Sequence, residues 1–178
     1  NKTKILFLTT HYPPNNTGAA TVMHNLISNL DKEIVAGVIT HANKYNDVDE
    51  NVDNVDIHYI FNYVNLLPSR IRYYARKLFV YNSIKKIQRI INEKKPTHII
   101  CVYPDLDFID LGIKISKKNT SIKFIPYLHD TISEGLNYKK YYKRAHKIQE
   151  YIIKNYDTIL VMSEGMKDLF STKYNCRT

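Results

Sequence analysis

Cysteine is scarce in this chain, and the two that occur, Cys101 and Cys176, stand far apart. Cys101 falls inside a predicted buried strand and Cys176 near the C-terminus, a pattern that excludes a disulfide framework and any cysteine-based metal spacing. Long apolar runs are missing too. No stretch approaches the roughly 20 residues a membrane span needs, and the N-terminus has no signal-peptide core, so the sequence reads as that of a cytoplasmic protein. Glycine numbers only five, and Gly18 stands alone where a dinucleotide-binding G-x-G-x-x-G would need three. No Gly-Lys-Ser/Thr follows it to make a P-loop. Acidic residues are locally absent as well: residues 70–95 hold nine cations against Glu93 alone, and residues 139–147 hold five against none. The net charge of +9 is therefore a matter of basic patches, with an acidic segment at Asp47, Asp49, Glu50, Asp53 and Asp56 opposing them.

What is present fits one soluble α/β domain over residues 1–178, long enough to bury a good core at 44% hydrophobic content. The stretch Lys4 to Leu30 organises the rest. Ile5-Leu6-Phe7-Leu8 predicts a buried parallel strand and Thr9 to Thr17 a loop containing His11, Tyr12, Pro13 and Pro14. Val22, Met23, Leu26, Ile27 and Leu30 then recur at helical spacing. Further strands are predicted at Glu33 to Thr40, Val55 to Phe61, Thr97 to Tyr103, Ile122 to Leu128 and Thr158 to Met162, with a solvated loop before Val55. Leu66 to Asn92 is helical, but Leu67, Ile71, Tyr74 and Leu78 lie nearly opposite Val80, Ile84, Ile87 and Ile91. Either the helix breaks near Phe79 or its halves pack against different things. Helices are also predicted after Asp105, over Tyr138 to Asn155 and from Ser163. The alternation implies a Rossmann-like, doubly wound parallel sheet of about six strands with helices on both faces.

In such a sheet, ligands bind at the carboxyl ends of the strands. The candidates are therefore Thr9 to Gly18, Tyr103 to Asp105, His129 with Asp130, and Ser163 with Glu164. Each also has a plain structural reading. Ser163 suits a helix N-cap, Gly18 a tight turn, Asp130 a turn, and His129 a half-buried ring held by a backbone carbonyl. His11, His24 and Lys94 read as ordinary structural or solvated residues. No Ser/His/Asp order, carboxylate pair or metal cluster stands out, so no metal is expected.

Taken in order, KILFLTTHYPPNNTGAATVMHNLISNL, the strand closing on His129-Asp130, and YDTILVMSEGMKDLF resemble the N-terminal domain of GT-B glycosyltransferases of the family-4 type. The likeness spans nearly the whole chain. One departure is that Gly18 is followed by Ala19 where the family commonly has paired glycines, and a Cβ there limits close approach of a phosphate or sugar. The resemblance implies one acceptor-side half of a two-domain enzyme, the other half holding the nucleotide-sugar. It implies retaining transfer of a sugar to a glycan or lipid-linked acceptor in cell-surface polysaccharide synthesis, with the nucleotide-sugar as co-substrate, no tightly bound cofactor, and no activity without the C-terminal domain. It also implies roles. His129 and Asp130 would be catalytic, while Gly18, Ala19, Tyr103, Ser163 and Glu164 would line the substrate cleft.

Arg70, Arg72, Arg76 and Lys77 edge the first apolar stripe of the long helix, a pattern suited to an anionic membrane surface and to a peripheral position on the inner face of the cell membrane. An ordinary solvated helix is the plain alternative. A different class of function is a non-catalytic module that binds nucleic acid through its basic helices and 15 tyrosines. Against it, the tyrosines form no recognisable platform motif.

Overall fold

The computed structural model of the chain describes residues 2–13, 17–42, 51–52, 55–61, 69–103, 105–132 and 139–174. Pro14, most of the acidic segment and Cys176 lie outside them. Strands and helices alternate: β1 (Ile5–Leu8), α1 (Gly18–Ser28), β2 (Val35–Ala42), β3 (Asn51–Val52), β4 (Val55–Phe61), α2 (Ser69–Lys94), β5 (His98–Tyr103), α3 (Leu106–Lys118), β6 (Lys123–Leu128), α4 (Lys139–Asn155), β7 (Leu160–Val161) and α5 (Glu164–Tyr174). They form one sheet of order β3-β4-β2-β1-β5-β6-β7. Six strands are parallel, and the two-residue β3 pairs antiparallel with β4 in a segment expected to be plain loop. With β3 set aside, the parallel strands counted along the chain read 3-2-1-4-5-6, the Rossmann-like order.

β5 shows how the sheet is buried on both sides. Ile99, Cys101 and Tyr103 enter one core with Ile87 of α2, Phe108 of α3, Ile152 of α4 and Phe170 of α5. The alternating Ile100 and Val102 enter the other, with Tyr12 and with Met23 and Ile27 of α1. Coverage is unequal, since α1 is the only described helix in the second core. Val161 packs against the first core, so its neighbours Leu160 and Met162 face the thinly covered side and remain 37% and 41% exposed.

α2 runs unbroken through Phe79, so the helix does not break between the opposed stripes. Ile84, Ile87 and Ile91 pack on the core, whereas Leu78 on the other stripe is 61% exposed. Lys86 ties this helix to the sheet by donating to the Tyr59 carbonyl (2.6 Å). Lys94, read as ordinary from sequence, pairs with Asp56 of β4.

α3 packs tightly on the sheet at Gly112. A Cβ there would lie 2.7 Å from Cys101 Sγ and 2.9 Å from the Phe124 ring. Gly112→Ala gains up to ~1 kcal/mol of helix propensity, but overpacking of a filled core costs ~1–3 kcal/mol, and both neighbours are fixed on buried strand positions. The single variant is expected to melt below wild type. In a cycle with Cys101→Ala, which removes the nearest atom, part of that loss should be recovered. A midpoint at or above wild type for Gly112→Ala would show that α3 has room to lift.

Candidate functional site

The strand order reverses between β1 and β5, and the mouth above their carboxyl ends is where an open sheet of this kind takes a ligand. Each side of that mouth is built by local capping chemistry. β1 runs out at Thr9, whose Oγ1 accepts the His11 amide (3.0 Å) and donates to the His11 carbonyl (3.2 Å), closing a tight turn. The turn delivers His11 to the start of α1, where its Nδ1 hydrogen-bonds Thr17 Oγ1 (3.0 Å). Thr17 is the N-cap and also accepts the Ala20 amide (3.2 Å). The first helical amides, at Gly18 and Ala19, have no helical carbonyl four residues back, so they present the positive end of α1. A Cβ added at Gly18 would meet nothing within 4 Å, so packing within this chain does not demand glycine there.

On the other side, β5 ends at Tyr103 and Asp105 caps α3, its Oδ1 accepting the amides of Asp107 (2.7 Å) and Phe108 (3.0 Å). β6 ends beside it, with the His129 amide donating to the Tyr103 carbonyl (3.4 Å). The His129 ring stands edge-on to Tyr127, centroids 4.5 Å apart. The end of β2 contributes His41, whose ring lies 4.5 Å from that of Phe108.

The mouth is therefore rimmed by three imidazoles, and burial lowers the pKa of each below the usual 6.5. Asp105 opposes the shift at His11 and, with Asp107, at His41. At His129 the neighbouring His11 lowers it further. Burial thus favours the neutral form of each. Nε2 of His41 and Nε2 of His129 are buried with no hydrogen-bond partner among the described residues. Leaving such a group unsatisfied costs ~1–3 kcal/mol. The Tyr103 phenol is raised by burial, and the Asp130 and Asp105 carboxylates add to that.

The residues singled out from sequence fall into three places. His129, Asp130 and Tyr103 meet at the ends of adjacent strands, although Tyr103 is core-buried and Asp130 is exposed, its Oδ1 accepting the Thr131 amide (2.7 Å). Ser163 and Glu164 lie one strand outward, after β7. There Ser163 caps α5 by accepting the Met166 amide (3.2 Å), and the 83% exposed Glu164 side chain pairs with Lys167 (3.1 Å). Gly18 and Ala19 sit across the β1–β5 boundary at the start of α1. Arg70, Arg72, Arg76 and Lys77 are on the first half of α2, and their side chains lie outside the described residues. His11 fell within the candidate stretch Thr9 to Gly18 but was read as an ordinary structural residue, and His41 was not singled out. The position of His11 three residues past a strand end was a usable signal for the first; nothing near His41 announced the second. Among the described residues no group of three or more His, Cys, Asp or Glu side chains is arranged to hold a metal ion.

The depressed histidines fix a pH dependence. A histidine with a lower pKa folded than unfolded binds fewer protons in the folded state, so stability is complete above about pH 6.5 and declines as the pH falls through the folded values. Asp56, lowered by its hydrogen bond to Lys94, adds a separate loss only below its usual 3.8. The melting midpoint is expected to drop between about pH 7.5 and 5.5. His41→Phe, which keeps a ring against Phe108 and removes a titrating group, should shrink that drop; an unchanged drop would show that His41 titrates normally.

No family model matches the chain, and no curated protein matches it.

Proposed function

We propose that this chain is the acceptor-side half of a GT-B glycosyltransferase of the family-4 type, moving a sugar with retention from a nucleotide-sugar to a glycan or lipid-linked acceptor in polysaccharide synthesis. The observation that carries the reading is His129: an imidazole at the carboxyl end of β6, one strand from the switch point of a 3-2-1-4-5-6 sheet, its buried Nε2 unpartnered among the described residues. Turned into the mouth, such a ring donates a hydrogen bond to an oxygen of the transferred sugar, stabilising charge that develops as the glycosidic bond breaks. The amides of Gly18 and Ala19, with the α1 dipole behind them, suit the donor phosphates, and the open space at Gly18 allows close approach. Asp130 offers its second carboxylate oxygen to a sugar hydroxyl. Ser163 and Glu164 form the outer wall. Tyr103, being core-buried, acts from behind by holding the His129 backbone.

In this reading a second lobe binds the nucleotide and closes the mouth against water. No described helix is long and apolar enough to cross a membrane, and a peripheral position on the inner face of the membrane would rest on the basic first half of α2. The test is release of nucleoside diphosphate from a panel of UDP- and GDP-sugars by a protein carrying both lobes, with glycan and polyprenyl-phosphate acceptors supplied. Turnover of one donor that depends on an acceptor is expected. Silence across the panel would overturn the reading.

A further inference from the structure

The outer surface of the α3–α4 pair carries a groove that the mouth of the sheet does not use. It encloses about 540 Å³, with Ile113 and Ile148 beneath and Lys117, Lys143, Arg144 and Lys147 along its walls. Its one acid, Asp110, is already matched. Lys114 Nζ donates to Asp110 Oδ2 (2.6 Å), and Arg144 is held by Asp107 (2.7 Å), by Asp110 (3.4 Å) and by the Leu106 carbonyl (3.3 Å). Lys143 and Lys147, one turn apart on α4, have no carboxylate within 4.0 Å among the described residues. Lys117 faces them from α3, its ammonium 4.3 Å from the centre of the Tyr151 ring. Like charges one turn apart repel, so this arrangement is unfavourable until an anion lies between them.

The groove has length as well as charge. Lys117 and Tyr151 also line a second hollow of about 500 Å³ that continues to Lys123, Asn155 and Tyr156 at the amino edge of the sheet, where Asp157 is its one acid. At the other end, Arg144 reaches the first turn of α3, beside the mouth. The path therefore runs from the rim of the candidate site down the outside of the domain.

Its shape selects among anions. A membrane surface calls for apolar side chains standing outward, whereas Ile113 and Ile148 are buried. Bases call for free aromatic faces. Lys117 occupies one face of Tyr151, and Tyr142 stacks on His146 at 5.9 Å with their planes 6° apart. What fits is a chain of anionic groups on a backbone without aromatic rings.

We propose that the α3–α4 groove binds an acidic glycan, its carboxylate or phosphate groups paired with Lys117, Lys143 and Lys147. That the polymer is a glycan rests on the transferase reading, in which it would be the acceptor leaving the mouth; the anion pairing does not. The probe is oligogalacturonate, titrated calorimetrically into the chain. Lys143→Glu with Lys147→Glu is expected to weaken binding about tenfold or more, since two attractions become repulsions. Lys4→Glu with Lys32→Glu makes the same change of net charge at exposed positions away from the groove and should stay within about twofold. The proposal is overturned if wild type does not bind, if both pairs weaken binding equally, or if neutral dextran binds as well as oligogalacturonate. Tighter binding of oligothymidylate or of phosphatidylglycerol vesicles would overturn it in favour of those partners. Because the titration needs no turnover, a lost groove with intact sugar transfer, or the reverse, separates this inference from the transferase reading.

Discussion

His129→Ala, in a protein carrying both lobes, is expected to lower kcat by about 10²–10³-fold, the usual consequence of deleting one preorganised donor to developing charge, worth ~2.7–4 kcal/mol. The fold should hardly notice. Truncation loses an edge-on contact with Tyr127 at 4.5 Å, a pairing worth ~0.5–1.5 kcal/mol. It also removes a buried Nε2 without a described partner, a burden of similar size or larger. The two terms oppose, so the melting midpoint should stay near that of wild type while turnover collapses. That combination is the mark of a group held for chemistry at some expense of stability. Wild-type turnover would remove His129 from the site, and a lost fold would make it a structural residue. Comparing the two midpoints in the same buffer is essential, because the depressed pKa of His129 makes its contribution smaller below about pH 6.5.

The order of elements was legible because strand and helix each leave a local trace. Ile5–Leu8 and Val55–Phe61 form strands where the apolar run and the alternation put them. β2 begins later than expected, at Val35, because Asp31 Oδ1 accepts the Glu33 amide (3.0 Å) and its carbonyl accepts the Ile34 amide (2.8 Å), bending the chain first. It ends later, at Ala42, because β4 supplies partners up to the Ala42–Phe61 pair. β7 shrinks to Leu160–Val161, which pair with Tyr127 and Leu128 of β6. The Asp31 turn is local, but the end of β2 and the length of β7 are long-range effects that no local pattern carries. The same limit governs the site. Ser163 as a cap and His129 at a strand end follow from neighbouring residues, but His41 meets Phe108 only because β2 and β5 flank β1 in the sheet. Strand order, unlike strand existence, is decided by packing between distant segments.

Phe108 joins the mouth to the core, and the largest loss of stability is expected there. It is fully buried, its amide donates to the Asp105 cap (3.0 Å), its carbonyl accepts Cys101 Sγ (3.5 Å), and its ring supports His41. Phe108→Ala should cost ~3–5 kcal/mol, the transfer term plus the cavity left behind. For a domain of this size each kcal/mol lowers the midpoint by ~2–4 °C, so the fall should be about 6–20 °C. In denaturant the transition midpoint should move and the slope should not, since the unfolded state is unaltered. A second effect follows from the first. With the ring gone, water reaches His41, its pKa climbs back toward 6.5, and the decline of stability in acid becomes shallower. Phe108→Leu refills most of the volume without restoring the ring, so it should recover much of the midpoint. A Phe108→Ala protein that melts with wild type would mean that the first turn of α3 is not packed against β2, and the three-imidazole rim would lose its support.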